Sequence, residues 1–274
     1  MTIDARAWSA LKARADAPPD RPRDALWLAE TPIGSIEPAL ARTMVAAGLP
    51  IATAASGWRV DSPPGADADG ALARLAQWLH REGHGSAWRD ELLAVTAIGD
   101  ITDSTDLAGT PCARIERAAV RPLGILTRAV HLIGRTPDGS VWVQQRAFDK
   151  ATDPGLWDTL MGGLRSADES WAQTLERETW EEAGLRIADL LDLRSAGHIV
   201  IRRPVADGYL VEHIQISVAT VPEGLTPTNL DGEVARFERL DRAAVIERLH
   251  ADAFTLEAAM ILARWLLRAP CAVS

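Results

Sequence analysis

Apolar positions recur along the chain in two periods. From Ala71 to Arg81, Leu72, Leu75, Ala76 and Leu79 fall at helical spacing, and Glu82-Gly83 closes the run, which predicts an amphipathic helix. The same reading predicts helices at 2–15, Ile36–Ala47 with Gly48 as its stop, Ile115–Val120, Arg242–Leu249 and Phe254–Arg268. Alternating or short apolar runs predict strands at Ala25–Leu28, Ile51–Val60, Leu92–Ile98, Leu126–Gly134, Val141–Arg146, Ala196–Arg203, Tyr209–Val221 and Arg236–Leu240. Proline- and glycine-rich segments at 17–24, 61–70 and 101–111 read as loops. Mixed elements in both parts predict an α/β protein, with a smaller α/β domain over 1–115 and a second domain over 116–274.

One stretch breaks the ordinary amphipathic pattern. Gly162 to Leu185 reads GGLRSADESWAQTLERETWEEAGL. Asp168 and Ser170 offer N-caps, 171–182 contain neither glycine nor proline, and Gly184 supplies a left-handed stop, so the segment is loop, helix, loop. Residues three and four apart share a helix face, so Glu178, Glu181 and Glu182 crowd their carboxylates together while Trp171, Leu175 and Ala183 can face inward. Such crowding is unfavourable unless the face is solvated or a hard divalent cation sits among the oxygens. Arg177 can bridge back to Glu169.

An acidic surface helix is the plain alternative. Against it, Gly163, Glu169, Arg177, Glu178, Glu181, Glu182 and Gly184 must all coincide in spacing. At background frequencies of roughly 5–10% each, that is on the order of one chance in a hundred million per start position. The segment resembles the box of the Nudix hydrolases, GX5EX7REUXEEXGU, and departs from it only mildly at Thr179, where an aliphatic residue is commoner.

The resemblance implies an α/β/α sandwich and magnesium-dependent cleavage of a diphosphate linkage in a small-molecule substrate, with manganese as the other usable cation. It also implies Glu178, Glu181 and Glu182 as metal ligands, with the main-chain carbonyl of Gly162 beside them. Glu233, in the Asn229–Val234 loop, falls where such folds supply an acid from outside the helix, and a plain surface turn is an equal reading. Further phrases, WRDE at 88–91, IERAAVRPLGILTRAVH at 115–131, QRAFDKATDPGLWDTLMGG at 145–163, DGYLVEHIQ at 207–215 and DGEV at 231–234, resemble a Nudix subgroup related to the Nudix portion of yeast thiamin pyrophosphokinase and to plant chloroplast relatives. That subgroup trims oxidised thiamin diphosphates, oxo- and oxythiamin diphosphate, to monophosphates, which makes them the expected substrate and the first domain part of the substrate machinery.

Charge and composition narrow the partners. The net charge is −9, and no basic stripe suggests nucleic acid. No apolar run approaches a membrane span and the first residues lack an apolar signal core, so a cytoplasmic protein is expected. Cys112 and Cys271 make neither a disulfide framework nor a metal cluster, and His80 and His84 lack a third ligand. Lys12 and Lys150 are the two lysines among 29 basic residues, which draws notice to Lys150 near the box. Arg146 and Lys150 are the expected phosphate contacts, one as a bidentate fork and the other as a point charge. Trp157, Tyr209 and Gln215 are candidates to frame the organic part, although among ten tryptophans most belong to a core.

Competing readings remain. Isopentenyl-diphosphate isomerase shares the fold, but it needs a cysteine after the tryptophan, where this chain has Asp158, Thr159, Leu160 and Met161. An ADP-ribose or nucleoside diphosphate-X pyrophosphatase fits the box as well. A non-catalytic nucleotide sensor is disfavoured by the intact carboxylates. A homodimer is compatible with the family, and no stretch specifies its interface.

Overall fold

The computed structural model describes residues 4–62, 68–98 and 111–268. Cys271 and most of the expected loop at 101–111 lie outside the described residues. Helix α1 (Ala5–Ala15) starts at Asp4, whose carboxylate accepts from the Ala7 amide at 2.7 Å. The first body then builds β1 (Asp24–Leu28), β2 (Thr31–Ile36), α2 (Pro38–Ala46), β3 (Ile51–Ala54), β4 (Gly57–Val60), α3 (Ala68–Arg81), β5 (Leu92–Val95) and β6 (Ala113–Glu116). The first four strands form one sheet in the order β2-β1-β4-β3, and β5 and β6 form a separate two-stranded ladder.

Strand β2 was not expected. Its sequence, TPIGSI, carries a proline and a glycine that argue against a strand, yet it pairs with β1 and buries Ile33 and Ile36. Claiming Ile36 for the strand moves the start of the next helix to Pro38, at the position where a missing amide costs least. The helix expected at Ile115–Val120 is reduced to a 3-10 turn at Arg117–Ala119, because Ile115 and Glu116 pair with Leu93 and Leu92.

The second body comprises β7 (Leu126–Arg135), β8 (Val141–Arg146), β9 (Trp157–Asp158), β10 (Met161–Leu164), α4 (Trp171–Ala183), β11 (Leu191–Val205), β12 (Gly208–Thr220), β13 (Val234–Leu240), α5 (Arg242–His250) and α6 (Leu256–Arg268). Its seven-stranded sheet runs β11-β12-β7-β8-β13, with β10 added to β7 and β9 to β8. The pairing of β7 with β12 is parallel and the neighbouring pairs are antiparallel. Leu175 and Ala183 of α4 pack on Val130 and Leu132 on one face, while α6 and Leu11 of α1 cover Ala129, Ile214 and Ile216 on the other. This is the expected α/β sandwich. Strands β9 and β10 lie where a loop was expected, since Met161 and Gly163 pair with Leu132 and Val130.

The two bodies are joined through main chain as well as side chains. The Ala167 amide donates to the Leu92 carbonyl at 2.8 Å, and Arg114 pairs with Asp168 at 2.8 Å. The first body's apolar cluster extends from Leu26 to Ile125, past the expected division at 115, and Leu164 packs against both clusters. His84 stacks on Trp78 and His80 meets Trp88 at a tilt, so both rings pack against tryptophans. Among the described residues no helix is long and apolar enough to cross a membrane.

His213 on β12 is buried, meets Trp171 edge-on at 5.6 Å and His198 at 5.1 Å, and has no partner for either ring nitrogen among the described residues. Burial, followed by the charges of His198 and Arg128, lowers its pKa to about 4. A lowered value means the fold favours the neutral ring, so this contribution is complete above about pH 6.5 and is lost as the pH falls through about 4. Urea unfolding at pH 7 and pH 4.5 should therefore show a larger loss of midpoint for the parent chain than for His213→Phe.

Candidate active site

Helix α4 is held in place at both ends by its own sequence. Ser170 accepts from the Gln173 amide and the Gln173 side chain accepts from the Ser170 amide, a reciprocal cap. Gly184 ends the helix at φ 61°, a conformation that favours glycine. Arg177 then ties the helix to the loop before it: Nε and Nη2 donate to the two Glu169 oxygens at 2.6 and 2.8 Å, and Nη2 also reaches the Leu164 carbonyl at 3.3 Å. This bidentate pair holds the Glu169 carboxyl below its ordinary range. Asp168, the other candidate cap, is occupied by Arg114.

The three expected carboxylates differ in environment. Glu182 is 2% exposed and accepts from the Gly162 amide at 3.0 Å and from Gln144 Nε2 at 2.9 Å. Burial, then the neighbouring charge of Glu178, pushes its carboxyl up to about 8. Glu178 lies against Gly163 and accepts from Arg177 Nη1 at 2.8 Å; burial raises it to about 7 against the pull of Arg177. Glu181 is the outermost, with 43% of its side chain exposed and Arg177 at 3.0 Å.

The carboxylates open into a cleft of about 820 Å³, whose walls also hold Arg146, Lys150 and Glu233. Arg146 donates to the Thr152 carbonyl at 3.0 and 3.3 Å and stands 3.7 Å from Asp158. Lys150 is ion-paired with Glu233 and lies 4.0 Å from Glu182. Burial would raise Glu233, but Lys150 more than offsets it and holds the carboxyl low. The expected Arg146, Lys150 and Glu233 are thus brought to the carboxylate helix. A slightly larger cavity of about 920 Å³, walled by Val245, Ile261 and Trp265, contains none of these carboxylates.

Three expected substrate contacts lie away from the cleft. Trp157 is buried in the apolar core, with Arg248 at 4.1 Å and Arg236 at 5.1 Å from its ring. Tyr209 donates its hydroxyl to the Ala17 carbonyl at 2.9 Å and so anchors the segment after α1. Gln215 pairs in register with His198 and Val130, and neither it nor the other two lines the cleft. The reading missed Gln144, His131, Asp158 and Glu212. Only Gln144 leaves a signal, since alternation along Val141–Arg146 puts it on the same side as Trp142 and Arg146.

Among the described residues no three acidic or imidazole groups form a ready donor set for a metal, because Arg177 and Lys150 serve as the carboxylates' counter-ions. The chemistry of the group still fits a hard cation: two carboxylates with raised pKa, one buried and one half-buried, a third at the surface, and a backbone at Gly162–Gly163 without side chains.

Comparison with known proteins places this geometry. Residues 125–260 match the family model of the NUDIX domain. The chain is 36% identical over 80 residues to an uncharacterized Nudix hydrolase of Pseudomonas aeruginosa, covering 29% of this chain and 47% of that protein. It is 31% identical over 145 residues to chloroplastic Nudix hydrolase 24 of Arabidopsis thaliana, covering 51% of this chain and 39% of that protein. It is also 30% identical over 122 residues to an isopentenyl-diphosphate Delta-isomerase of Corynebacterium glutamicum, covering 43% of this chain and 64% of that protein. The chain spans less than half the length of the first two relatives.

A β-carbon at Gly163 would overlap the Glu178 carboxyl group. Gly163→Ala should therefore displace that carboxylate and weaken divalent-cation binding by about 10- to 100-fold, the range seen when ligand orientation is lost. Calorimetric titration with magnesium or manganese checks this, with circular dichroism reporting the fold.

Proposed function

We propose, from the match of residues 125–260 to the model of the NUDIX domain, that this chain hydrolyses a diphosphate linkage in a small molecule with magnesium or manganese as cofactor. The observation that carries the reading is the pair of carboxylates, Glu182 buried and Glu178 half-buried, packed against the side-chain-free backbone of Gly162–Gly163 with Arg146 and Lys150 on the same cleft. Glu178, Glu181 and Glu182, with the carbonyl of Gly162, would hold the cation. Bound there, it would neutralise phosphate oxygens and lower the pKa of water.

The chain's own residues supply the rest. Arg146 and Lys150 hold the phosphates, one as a fork and one as a point charge. Arg177 and Glu169 position the helix. A water oxygen attacks phosphorus, the phosphorus–oxygen bond of the anhydride breaks, and the leaving phosphate keeps that bond's electrons. The proton released from water passes to Glu178 or Glu233. Glu233 is held ionised by Lys150 and lies outside the set that would hold the cation.

For the substrate we propose oxidised thiamin diphosphate, cleaved to the monophosphate and phosphate; support comes from the sequence phrases shared with the thiamin-related subgroup. Isomerase activity is disfavoured because Asp158–Met161 offer no thiol after Trp157. Cys112, the cysteine among the described residues, is near the Val95 carbonyl at 3.4 Å and does not line the cleft.

A phosphate- and AMP-release screen with magnesium over oxothiamin diphosphate, thiamin diphosphate, ADP-ribose and dinucleotides tests the substrate. Preference for the thiamin compounds is expected; ADP-ribose turnover far above them overturns it. Glu181→Gln and Glu182→Gln should each lose about 10²-fold or more in kcat while remaining folded. Glu233→Gln separates the two proton acceptors, since an unchanged rate leaves the role to Glu178.

A further inference from the structure

Beyond the carboxylates the cleft adjoins a recess of about 70 Å³, apolar where Val120, Ile125, Leu164 and Leu210 line it and basic where Arg89, Arg117 and Arg121 do. Glu212 lines both spaces. One water needs roughly 10–15 Å³ of such volume, so the recess has room for several waters or a small ring. We propose that this recess selects the organic end of the diphosphate, and that Glu212 reads an N–H donor on the edge of a nitrogen heterocycle. The proposal rests on the diphosphatase reading and deepens it.

A carboxyl group at such a place needs an explanation, because a poorly partnered buried carboxylate is costly. Glu212 sits opposite Thr127 in the β12–β7 ladder, and one carboxyl oxygen accepts from the Thr127 hydroxyl at 2.9 Å. The other has no partner among the described residues. Three cations near it are ion-paired elsewhere: Arg117 to Glu91 at 2.7 Å, Arg121 to Asp207 at 3.4 Å, and Arg203 to Glu257 at 3.4 Å. Arg89 lines the same recess. Glu212 keeps one oxygen open at its mouth.

Burial, then the nearby charge of Glu257, raises the Glu212 carboxyl to about 7, with Thr127, Arg121 and Arg117 pulling the other way. The oxygen left open by Thr127 complements an N–H on the edge of an aminopyrimidine, a purine or a lactam ring. The apolar side of the recess suits the ring, and the diphosphate would extend toward Arg146 and Lys150.

The test uses the full chain with magnesium and compares kcat/KM for thiamin diphosphate and ADP with that for isopentenyl diphosphate, which has no ring. In Glu212→Ala the ratio of heterocyclic to ring-free substrate should fall by about 10- to 100-fold, as expected for one hydrogen bond to an ionisable group, and chiefly through KM. Glu212→Gln, which keeps a donor and an acceptor, should retain part of the ratio and guards against a folding defect in the alanine variant. A ratio that stays constant in both variants overturns the assignment. If the parent chain cleaves no diphosphate, the diphosphatase reading falls, and Glu212 is judged by calorimetric binding of thiamin monophosphate and AMP. Tighter binding to the parent than to Glu212→Ala upholds the recess, and equal or absent binding overturns it.

Discussion

Everything at the site depends on burying the Glu182 carboxylate against the Gly162 amide. A buried charge is tolerated only where hydrogen bonds and counter-charge compensate its lost hydration. Gly162 and Gln144 supply the hydrogen bonds and Lys150 the nearby charge, each from a different segment. Those segments, β10, β8 and the loop after β8, must therefore all be in place where α4 packs. Room for the neighbouring Glu178 carboxyl group explains why Gly163 bears no side chain, and Arg177 is clamped by Glu169 rather than left to swing.

The first body bears on this arrangement. Glu91 and Arg117 form a wall of the cleft, and Glu91 also accepts from the Ser166 hydroxyl at 3.2 Å, next to the loop that Arg177 holds. Its contacts with the second body include main-chain hydrogen bonds, an ion pair and shared apolar packing at Leu164. It helps to shape the space into which a substrate's organic end would extend.

How much of this the amino-acid sequence carried depends on the range of each interaction. The α4 helix, its caps, its stop at Gly184 and the Arg177–Glu169 pair are local, so spacing alone specified them. Trp157, Tyr209 and Gln215 were misplaced because strand alternation gives a side chain's face but not what covers that face: Trp157 is sealed by Arg236 and Arg248 from distant elements. Strand β2 was hidden by its own Pro32 and Gly34, and only pairing with β1 forces it. Glu212 was invisible for a related reason. A single carboxylate in an apolar strand has no pattern, and its meaning depends on arginines that turn away to Glu91 and Asp207.

Leu164 has a consequence that reaches past the cleft. It follows Gly163 directly in β10 and packs against both apolar clusters. A ligand that steadies Gly162–Gly163 therefore also steadies the residue on which the two cores meet, and by linkage its binding free energy is spread over the whole chain. Occupancy of the site should slow amide exchange in β1 and α3 of the first body, far from any atom the ligand touches, so the glycine pair is also a mechanical joint between the two halves of the molecule.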